Sequence, residues 1–286
     1  MLTTLKNRIC PGCQNISISS IWLSVLLVSC STYLHAQESA SGRMTKIVAH
    51  RGKVSGYPEN SLSGLAKALT LGVDYIEVDV RTTSDGVPVV LHDGELKRTT
   101  HVRGNVNGYS FSDLEGVPLK KKRKSIRTED EHIPTLEQMC AMLAAHNRSN
   151  GKRVNLYVDC KDVPPETLVS ILKRYDLDRT AVFYGNDDYL KALRELLPHA
   201  CIIPALRTVE DLEKKMMDLK PYGFDVAWNV LNEHTVRQIQ SKHVTIYTDL
   251  LFLRDRRKNY RKAQRWGITA IQTNRAKKAV HILREK

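Results

Sequence analysis

From residue 46 onward, short apolar runs alternate with segments in which apolar residues recur at intervals of three and four. The runs have the length of β-strands, and the intervals are typical of amphipathic helices. Apart from one hairpin return, the pattern predicts eight strands, near residues 46–49, 75–80, 154–161, 181–184, 201–204, 224–228, 244–248 and 268–272. Strands that alternate with helices in this number are typical of a (β/α)8 TIM-like barrel, an α/β fold.

The helical segments follow the strands in turn. They are predicted near residues 60–71, 135–145, 165–175, 188–197, 209–219, 233–241 and 256–266. We expect the first of them to begin with Asn60 as its N-cap and to stop at Gly72. In such a barrel the active site lies at the C-terminal ends of the strands, so residues at these ends are the first candidates for chemistry.

A hairpin is predicted directly after the second strand. Asp85-Gly86 between two β-rich runs is the strongest short signal of a β-hairpin, and too few residues intervene for a parallel crossover. A turn centred on residues 84–86 pairs positions whose numbers sum to about 170. The return strand therefore brings His92 beside Val78 and Asp79.

Residues 94–134 show no clear periodicity and predict a long polar loop. The segment contains a basic run from Lys120 to Lys124. Such a run either contacts an anionic membrane surface or another polyanion, or is simply solvated and partly balanced by the acids at 129–131.

The first 36 residues have the pattern of an export signal. Lys6 and Arg8 precede the apolar run at residues 21–28, which is too short to span a bilayer and is followed by small and polar residues. Export to the periplasm or cell surface is therefore expected.

Two processing sites fit this signal. Residues 27–30, Leu-Val-Ser-Cys, resemble a bacterial lipoprotein box in which Cys30 becomes the lipidated first residue. Residues 34–36, Leu-His-Ala, instead suit ordinary signal peptidase and would give a soluble product. In either case we expect a linker at residues 37–45 and one barrel domain at residues 46–286.

The charge balance is strongly basic. The chain has 44 Lys and Arg against 31 Asp and Glu, a formal net charge of +13, with an ordinary apolar content of 42%. This excess predicts an anionic partner: nucleic acid, an anionic membrane surface or a substrate that carries phosphate. Nucleic acid is not expected, because the chain lacks an evident aromatic and basic stacking groove.

Reactive side chains lie where the predicted strands end. They comprise two histidines, three carboxylates and two cations: His50, His92, Glu77, Asp79, Asp159, Arg51 and Lys161. Strand alternation puts Glu77 and Asp79 on one face, where an acidic pair is costly to bury unless it is paired or bound to a metal. Histidines, carboxylates and an arginine together are suited to metal-assisted acid–base attack on a phosphate ester.

The order of these residues resembles the glycerophosphodiester phosphodiesterase family. The resemblance rests on an ordered set of short motifs at residues 50–52, 58–61, 77–80, 83–86, 89–93, 96–100 and 133–137. Residues 46–161 carry most of it, and the set in this order is far more specific than any one motif.

The family resemblance implies a barrel enzyme that hydrolyses glycerophosphodiesters to an alcohol and glycerol 3-phosphate. It implies one divalent cation, Ca²⁺ or Mg²⁺, held by the residues Glu77, Asp79 and Asp159. It also implies His50 and His92 as the acid–base pair, and we expect His50 to be the base and His92 the acid.

The remaining site assignments follow from the same resemblance and from the chemistry of the side chains. Arg51 and Lys161 are expected to bind the phosphate, while Glu59 and Tyr247 are assigned to the substrate pocket. The chain departs from the family in having Asp159 where Glu is common, and Tyr247 where Trp is common. It also has Thr-Asn-Arg-Ala at residues 273–276 in place of Thr-Asp-x-Pro. The strand ends near the C-terminus help to shape the alcohol pocket, so these departures bear on substrate choice more than on the chemistry.

Two other functions compete with this one. The first is a phospholipase C- or D-like phosphodiesterase that acts on intact phospholipid, which membrane anchoring and the basic run would suit. The second is a non-catalytic, surface-anchored module that binds polyanions, for which binding would fall steeply with salt and would not respond to chelation. The paired histidines and carboxylates argue against the second, since a binding module has no use for them.

Overall fold

The computed structural model describes residues 44–120 and 131–284. The expected export signal at residues 1–36 lies outside the described residues, as do nearly all of the linker and residues 121–124 of the basic run. The predictions made for these segments therefore stay predictions.

The strands form one sheet in which every neighbouring pair is parallel except for the hairpin. The strands are β1 (Lys46–Ala49), β2 (Tyr75–Thr82), β3 (Pro88–Val90), β4 (Asn155–Cys160), β5 (Val182–Tyr184), β6 (Cys201–Ile202), β7 (Ala205–Leu206), β8 (Gly223–Val226), β9 (Thr245–Asp249) and β10 (Ala270–Thr273). Their order is β6-β5-β4-β2-β1-β10-β9-β8-β7, with β3 paired to β2.

The prediction of one strand at residues 201–204 was wrong, because the strand ends at Ile202 and a second short strand begins only at Ala205. Pro204 lies between β6 and β7, and proline has no amide hydrogen to donate to a neighbouring strand. The two edges of the sheet nevertheless meet here: Tyr222 N donates to Ile202 O and Asp225 N donates to Pro204 O, both at 3.0 Å. The sheet thus curls into a TIM-like barrel, as predicted. It has eight parallel strand positions, because β6 and β7 together occupy one and β3 lies outside the barrel.

Nine helices lie among the described residues, and all of them except the short one at Phe111–Leu114 pack on the outside of this sheet. They are α1 (Leu62–Leu69), α2 (Phe111–Leu114), α3 (Leu136–Ser149), α4 (Pro165–Arg174), α5 (Asp187–Leu196), α6 (Leu212–Leu219), α7 (Glu233–Gln240), α8 (Arg257–Arg265) and α9 (Ala276–Arg284). All seven predicted helices are present; α2 and α9 were not predicted. Outward residues of β2 such as Ile76 and Val78 join the helices in one core, so Glu77 and Asp79 face the barrel interior. Among the described residues, no helix is long and apolar enough to cross a bilayer.

The N-cap of α1 is Ser61 rather than Asn60. Ser61 Oγ accepts a hydrogen bond from Gly64 N at 3.0 Å, which satisfies one of the free amides of the first turn. Asn60 instead has a left-handed backbone, with φ of 53°, and its side chain turns inward to Asp79. Residue type alone does not distinguish two adjacent good caps.

The predicted hairpin is confirmed with its register. The strands β2 and β3 are antiparallel and pair Val80 with Val90 and Thr82 with Pro88. One step further, Leu91 N donates to Asp79 O at 3.0 Å. The hairpin therefore delivers His92 to the end of β2 at which Asp79 lies.

The prediction of an irregular polar loop at residues 94–134 was wrong for its described part. Single-turn helices and α2 fold there around a small core of their own, formed by Val89, Leu91, Leu96, Val106, Leu114, Leu119 and Ile133. The apolar residues come from separate turns, so they show no period along the sequence. Of the basic run only Lys120 is described, and its ammonium donates to Lys97 O.

Candidate active site

Three carboxylates meet at the C-terminal end of neighbouring strands. Glu77 and Asp79 lie on β2, and Asp159 on β4 is in register with Asp79. One oxygen from each of the three lies within 4.8 Å of the others, and both carboxylates of β2 are only 1% exposed. Alternation along two paired strands is what brings them together.

Few donors compensate this buried negative charge. Arg51 N donates to Glu77 Oε2 at 2.5 Å, and Asn60 Nδ2 donates to Asp79 Oδ2 at 3.0 Å. Lys161 Nζ contacts Asp159 and lies 3.3 Å from Asp79 Oδ1. Burial, and next the charges of the two neighbouring carboxylates, raises the pKa of Glu77 well above its usual range.

The three carboxylates fit a divalent cation. Hard oxygen donors in a flexible number are the ligands that Ca²⁺ and Mg²⁺ prefer. Crowding three acids at this spacing without a cation is unfavourable, as the raised pKa of Glu77 shows. The predicted set Glu77, Asp79 and Asp159 is thus assembled in one place.

His50 follows β1 and is buried beside the carboxylates. Its Nδ1 donates to Asn274 Oδ1 at 2.8 Å, because an amide oxygen can only accept, and this leaves Nε2 free to take up a proton. Burial chiefly lowers the pKa of His50 to about 4; Arg51 lowers it further, while the Asn274 bond acts the other way. His50 is therefore neutral at neutral pH, as a general base must be.

His92 lies just beyond β3 and is more exposed than His50. Its Nδ1 is 2.6 Å from Asp93 Oδ1, and the carboxylate accepts this hydrogen bond. It also lies near Asp159: burial raises the pKa of that carboxyl group, and the proximity of His92 acts in the opposite direction. The hydrogen bond at Nδ1 fixes the orientation of the ring and leaves Nε2, on the opposite side of the ring, for proton exchange.

An ion-pair network joins the segments that carry the two histidines. Arg51 donates to Glu59 Oε1 at 2.7 Å, and Arg98 donates to the same oxygen at 2.8 Å. Arg98 also bonds both oxygens of Asp93, the partner of His92. Glu59, which the resemblance assigned to the substrate pocket, is thus held between two arginines.

The network lowers the pKa of both carboxylates. Burial would raise the pKa of Glu59, but the hydrogen bond from Arg98 and the charge of Arg51 outweigh it and lower the pKa to about 2. The hydrogen bond from Arg98 is the main reason why the pKa of Asp93 is lowered to about 2. Both carboxylates therefore stay ionised throughout the ordinary pH range.

Replacing Arg98 by methionine is expected to destabilise the protein in a pH-dependent way. Carboxylates with a depressed pKa contribute stability above their unfolded pKa, and this contribution is lost as the pH falls toward about 2. The loss should be roughly 1–2 kcal/mol near pH 7, since Arg98 is partly exposed and solvent screens it. Urea unfolding from pH 7 to pH 3 measures it.

A matched control for this variant is Arg174→Met. Arg174 forms an exposed ion pair with Glu137, away from the site, and such pairs contribute little. The difference between wild type and Arg98→Met should shrink below pH 4, whereas that of the control should stay small at every pH. A loss for Arg98→Met that is the same at pH 3 and pH 7 would contradict the network.

Tyr247, which was assigned to the substrate pocket, is fully buried inside the barrel. It is buried in an interior layer with Tyr75 and Tyr157, whose ring centroids each lie 6.0 Å from that of Tyr247. Its hydroxyl is bonded to Tyr75 Oη at 3.3 Å. Asp249 lies two residues further along β9, at the C-terminal end of the strand, so Tyr247 lies deeper in the barrel than Asp249.

Two acids at the barrel mouth were missed by the sequence reading. Tyr157 Oη donates to Asp225 Oδ2 at 2.9 Å, and burial and then Asp249 raise the pKa of Asp225 well above its usual range. Burial and then Asp159 raise the pKa of Asp249 to about 6. Asp225 stands between two apolar residues of β8, the same signal that singled out Glu77 and Asp79, and Asp249 is the last residue of β9.

A cavity of about 560 Å³ adjoins the site. It is lined by Asp159, Lys161, Tyr184, Asn186, Arg207 and Lys215, among others. Asp159 belongs both to this cavity and to the carboxylate cluster, and Lys161 lines the cavity while it pairs with two members of the cluster. The cavity thus gives a ligand room beside the three carboxylates.

Solved structures share this fold. A phosphodiesterase of Oleispira antarctica, in complex with sn-glycerol-3-phosphate, has a TM-score of 0.74 and 21% identity, covering 86% of this chain and 99% of that one. A glycerophosphoryl diester phosphodiesterase of Parabacteroides distasonis has a TM-score of 0.71 and 23% identity, covering 87% and 89%. At identities this low, the structural similarity establishes the barrel fold alone.

Comparison of amino-acid sequences identifies the family of this chain. The glycerophosphodiester phosphodiesterase of Bacillus subtilis (strain 168) is 27% identical over 261 residues, which cover 79% of this chain and 82% of the relative. The model of the glycerophosphoryl diester phosphodiesterase family matches residues 50–278, a range that includes both histidines and all three carboxylates. The chain therefore belongs to the glycerophosphoryl diester phosphodiesterase family.

Proposed function

We propose that this protein hydrolyses glycerophosphodiesters to an alcohol and glycerol 3-phosphate, and that it does so with one divalent cation, Ca²⁺ or Mg²⁺. One observation carries the proposal. Three clustered carboxylates adjoin two imidazoles, and each imidazole has its Nδ1 bonded to an oxygen acceptor. Family membership supports the same reaction class.

The cation and two cationic side chains would bind the phosphate together. Glu77, Asp79 and Asp159 would hold the cation, which when bound supplies Lewis-acid stabilisation of negative charge on phosphoryl oxygens. Arg51 and Lys161 border the same cluster, within ion-pair distance of Asp79. Their positive charges stabilise the extra charge that develops on the phosphoryl group in the transition state.

The two histidines divide the proton transfers. His50, neutral and with Nε2 unprotonated, takes the proton of the nucleophile, which is either water or the glycerol 2-hydroxyl. Attack by water gives glycerol 3-phosphate directly, whereas attack by the 2-hydroxyl gives a cyclic phosphate that water must then open. His92, whose Nδ1 donates to Asp93, gives the proton of Nε2 to the departing alcohol oxygen. Asn274 and Asp93 fix the orientation of the two rings through Nδ1, which leaves Nε2 of each ring for the proton transfer.

The setting of the enzyme forms a second part of the proposal. The signal at residues 1–36 supports export, as a lipoprotein anchored through Cys30 or as a soluble product processed near residue 36. The basic run from Lys120 to Lys124 supports a position near an anionic surface. Both rest on the sequence.

A substrate panel tests the reaction. Glycerophosphocholine, glycerophosphoinositol and intact phosphatidylcholine would be incubated with the protein, and the products identified by mass spectrometry. The proposal expects glycerol 3-phosphate from the first two and no attack on the intact lipid. Release of phosphocholine, or turnover of phosphatidylcholine alone, would contradict it and favour a phospholipase-like activity.

A further inference from the structure

Two adjacent large apolar side chains are exposed at the open end of the barrel. Phe252 and Leu253 are 79% and 78% exposed, and they lie in the loop between β9 and α8. We call this pair the 252–253 tip. Because β9 is a parallel barrel strand, the loop that follows it lies at the same end as the carboxylates.

The exposure of the tip is not the result of a loose loop. Asp255, two residues further on, is buried and accepts hydrogen bonds from Tyr260 Oη, Thr273 Oγ1 and Asn274 N. Phe252 itself has φ of 50°, a left-handed conformation that is unfavourable for a bulky residue. The fold therefore holds these side chains outward at a cost, which points to a surface that meets a partner.

Positive charge follows the tip directly along the chain. Arg256, Arg257 and Lys258 follow it and are exposed, and among the described residues none of the three pairs with a carboxylate. Arg254 lies near enough to Asp249 in the barrel mouth to lower the pKa of that acid. An apolar tip with a basic border suits the headgroup region of an anionic bilayer, where aromatic and aliphatic groups enter and cations meet phosphate.

We propose that the 252–253 tip inserts into the headgroup region of an anionic membrane while the neighbouring basic side chains contact its phosphates. The loop also connects to the catalytic residues: Asp255 binds Asn274 N, and Asn274 Oδ1 binds His50. Docking in this way sets the barrel mouth against the lipid surface. The proposal does not depend on the reaction assigned above.

Vesicle binding by the full-length chain tests the tip. Wild type, a variant with both Phe252→Ser and Leu253→Ser, and Met217→Ser would be compared on vesicles of phosphatidylcholine with and without phosphatidylglycerol. The double variant should bind anionic vesicles about tenfold or more weakly, the effect of withdrawing large apolar side chains from lipid. Met217, 72% exposed on α6, is the matched control and should have no effect.

A second measurement locates the tip independently of any other membrane contact of the chain. Phe252→Trp and Met217→Trp share the native tryptophans, so the difference in their quenching by brominated phosphatidylglycerol reports the new indole. The proposal expects stronger quenching in Phe252→Trp, and release by high salt.

Equal quenching in these two variants would overturn the proposal. So would vesicle binding that the double serine variant leaves unchanged. A third overturning result is a change of oligomeric state in the double variant without loss of vesicle binding, which would make the tip a contact between copies of the chain. Turnover of glycerophosphocholine in solution, if the reaction is as proposed, should be unchanged in all variants and serves as the check of folding.

Discussion

Replacing Glu77 by glutamine is expected to remove most of the turnover while stabilising the cation-free protein. Glutamine keeps an oxygen that can accept the hydrogen bond from Arg51 N, but it removes one of three clustered negative charges. Lewis-acid stabilisation is worth several kcal/mol, so the loss should be about 10³-fold. Turnover and thermal unfolding, each with and without added Ca²⁺ or Mg²⁺, measure both effects.

The stability effect of Glu77→Gln has a definite dependence on pH. A carboxyl group whose folded pKa is raised contributes stability at low pH and loses it as the pH rises through the folded pKa. Without cation, the advantage of the variant over wild type should therefore be small near pH 4 and grow as the pH rises. Added cation should stabilise wild type and leave the variant almost unchanged.

The control for this prediction is Glu195→Gln. Glu195 is an exposed carboxylate on α5, away from the cluster. The substitution Glu195→Gln should change neither turnover, nor stability, nor the response to cation. Wild-type turnover in Glu77→Gln, with an unchanged response to cation, would remove Glu77 from the cation site.

Replacing either histidine by alanine is expected to lower turnover of glycerophosphocholine by about 10²–10⁴-fold, the usual contribution of a general acid or base. The roles of the two are separated by a substrate with a good leaving group, glycerol 3-(4-nitrophenyl phosphate). Nitrophenolate leaves without protonation, so His92→Ala should regain most of its activity on this substrate. His50→Ala should stay impaired, because the attacking hydroxyl still has to lose its proton.

His234→Ala serves as the control, since His234 is exposed on α7, far along the chain from the catalytic strands. It should behave as wild type on both substrates. Recovery of His50→Ala rather than His92→Ala on the nitrophenyl ester would reverse the assignment of acid and base. Near-normal turnover of His92→Ala on glycerophosphocholine would remove His92 from catalysis.

The barrel could be predicted because its determinants are local. Alternation along each strand and helical spacing between strands are visible within short windows, and a two-residue turn signal set the hairpin register correctly. The split at Pro204 was missed because apolar residues continue on both sides of the proline, although proline cannot donate a hydrogen bond to a neighbouring strand. The small core within residues 94–120 and 131–134 was missed because its members come from unrelated turns.

The site was predictable to the extent that strand ends converge. Glu77, Asp79 and Asp159 are brought together by parallel register, which the fold class implies. The residues that orient the histidines could not be predicted in this way. Asn274 is 224 positions from His50, and Arg98 is 39 positions from Glu59. No periodicity links such pairs, so their hydrogen bonds appear only in three dimensions.

The most direct test of the account is cation dependence at the proposed site. Full-length protein would be stripped with chelator, and glycerol 3-phosphate released from glycerophosphocholine would be measured before and after Ca²⁺ or Mg²⁺ is added, with Glu77→Gln alongside. The account predicts no release from stripped wild type, recovery when one of the cations is added, and no recovery in the variant. Full release by stripped wild type in the presence of excess chelator would contradict it.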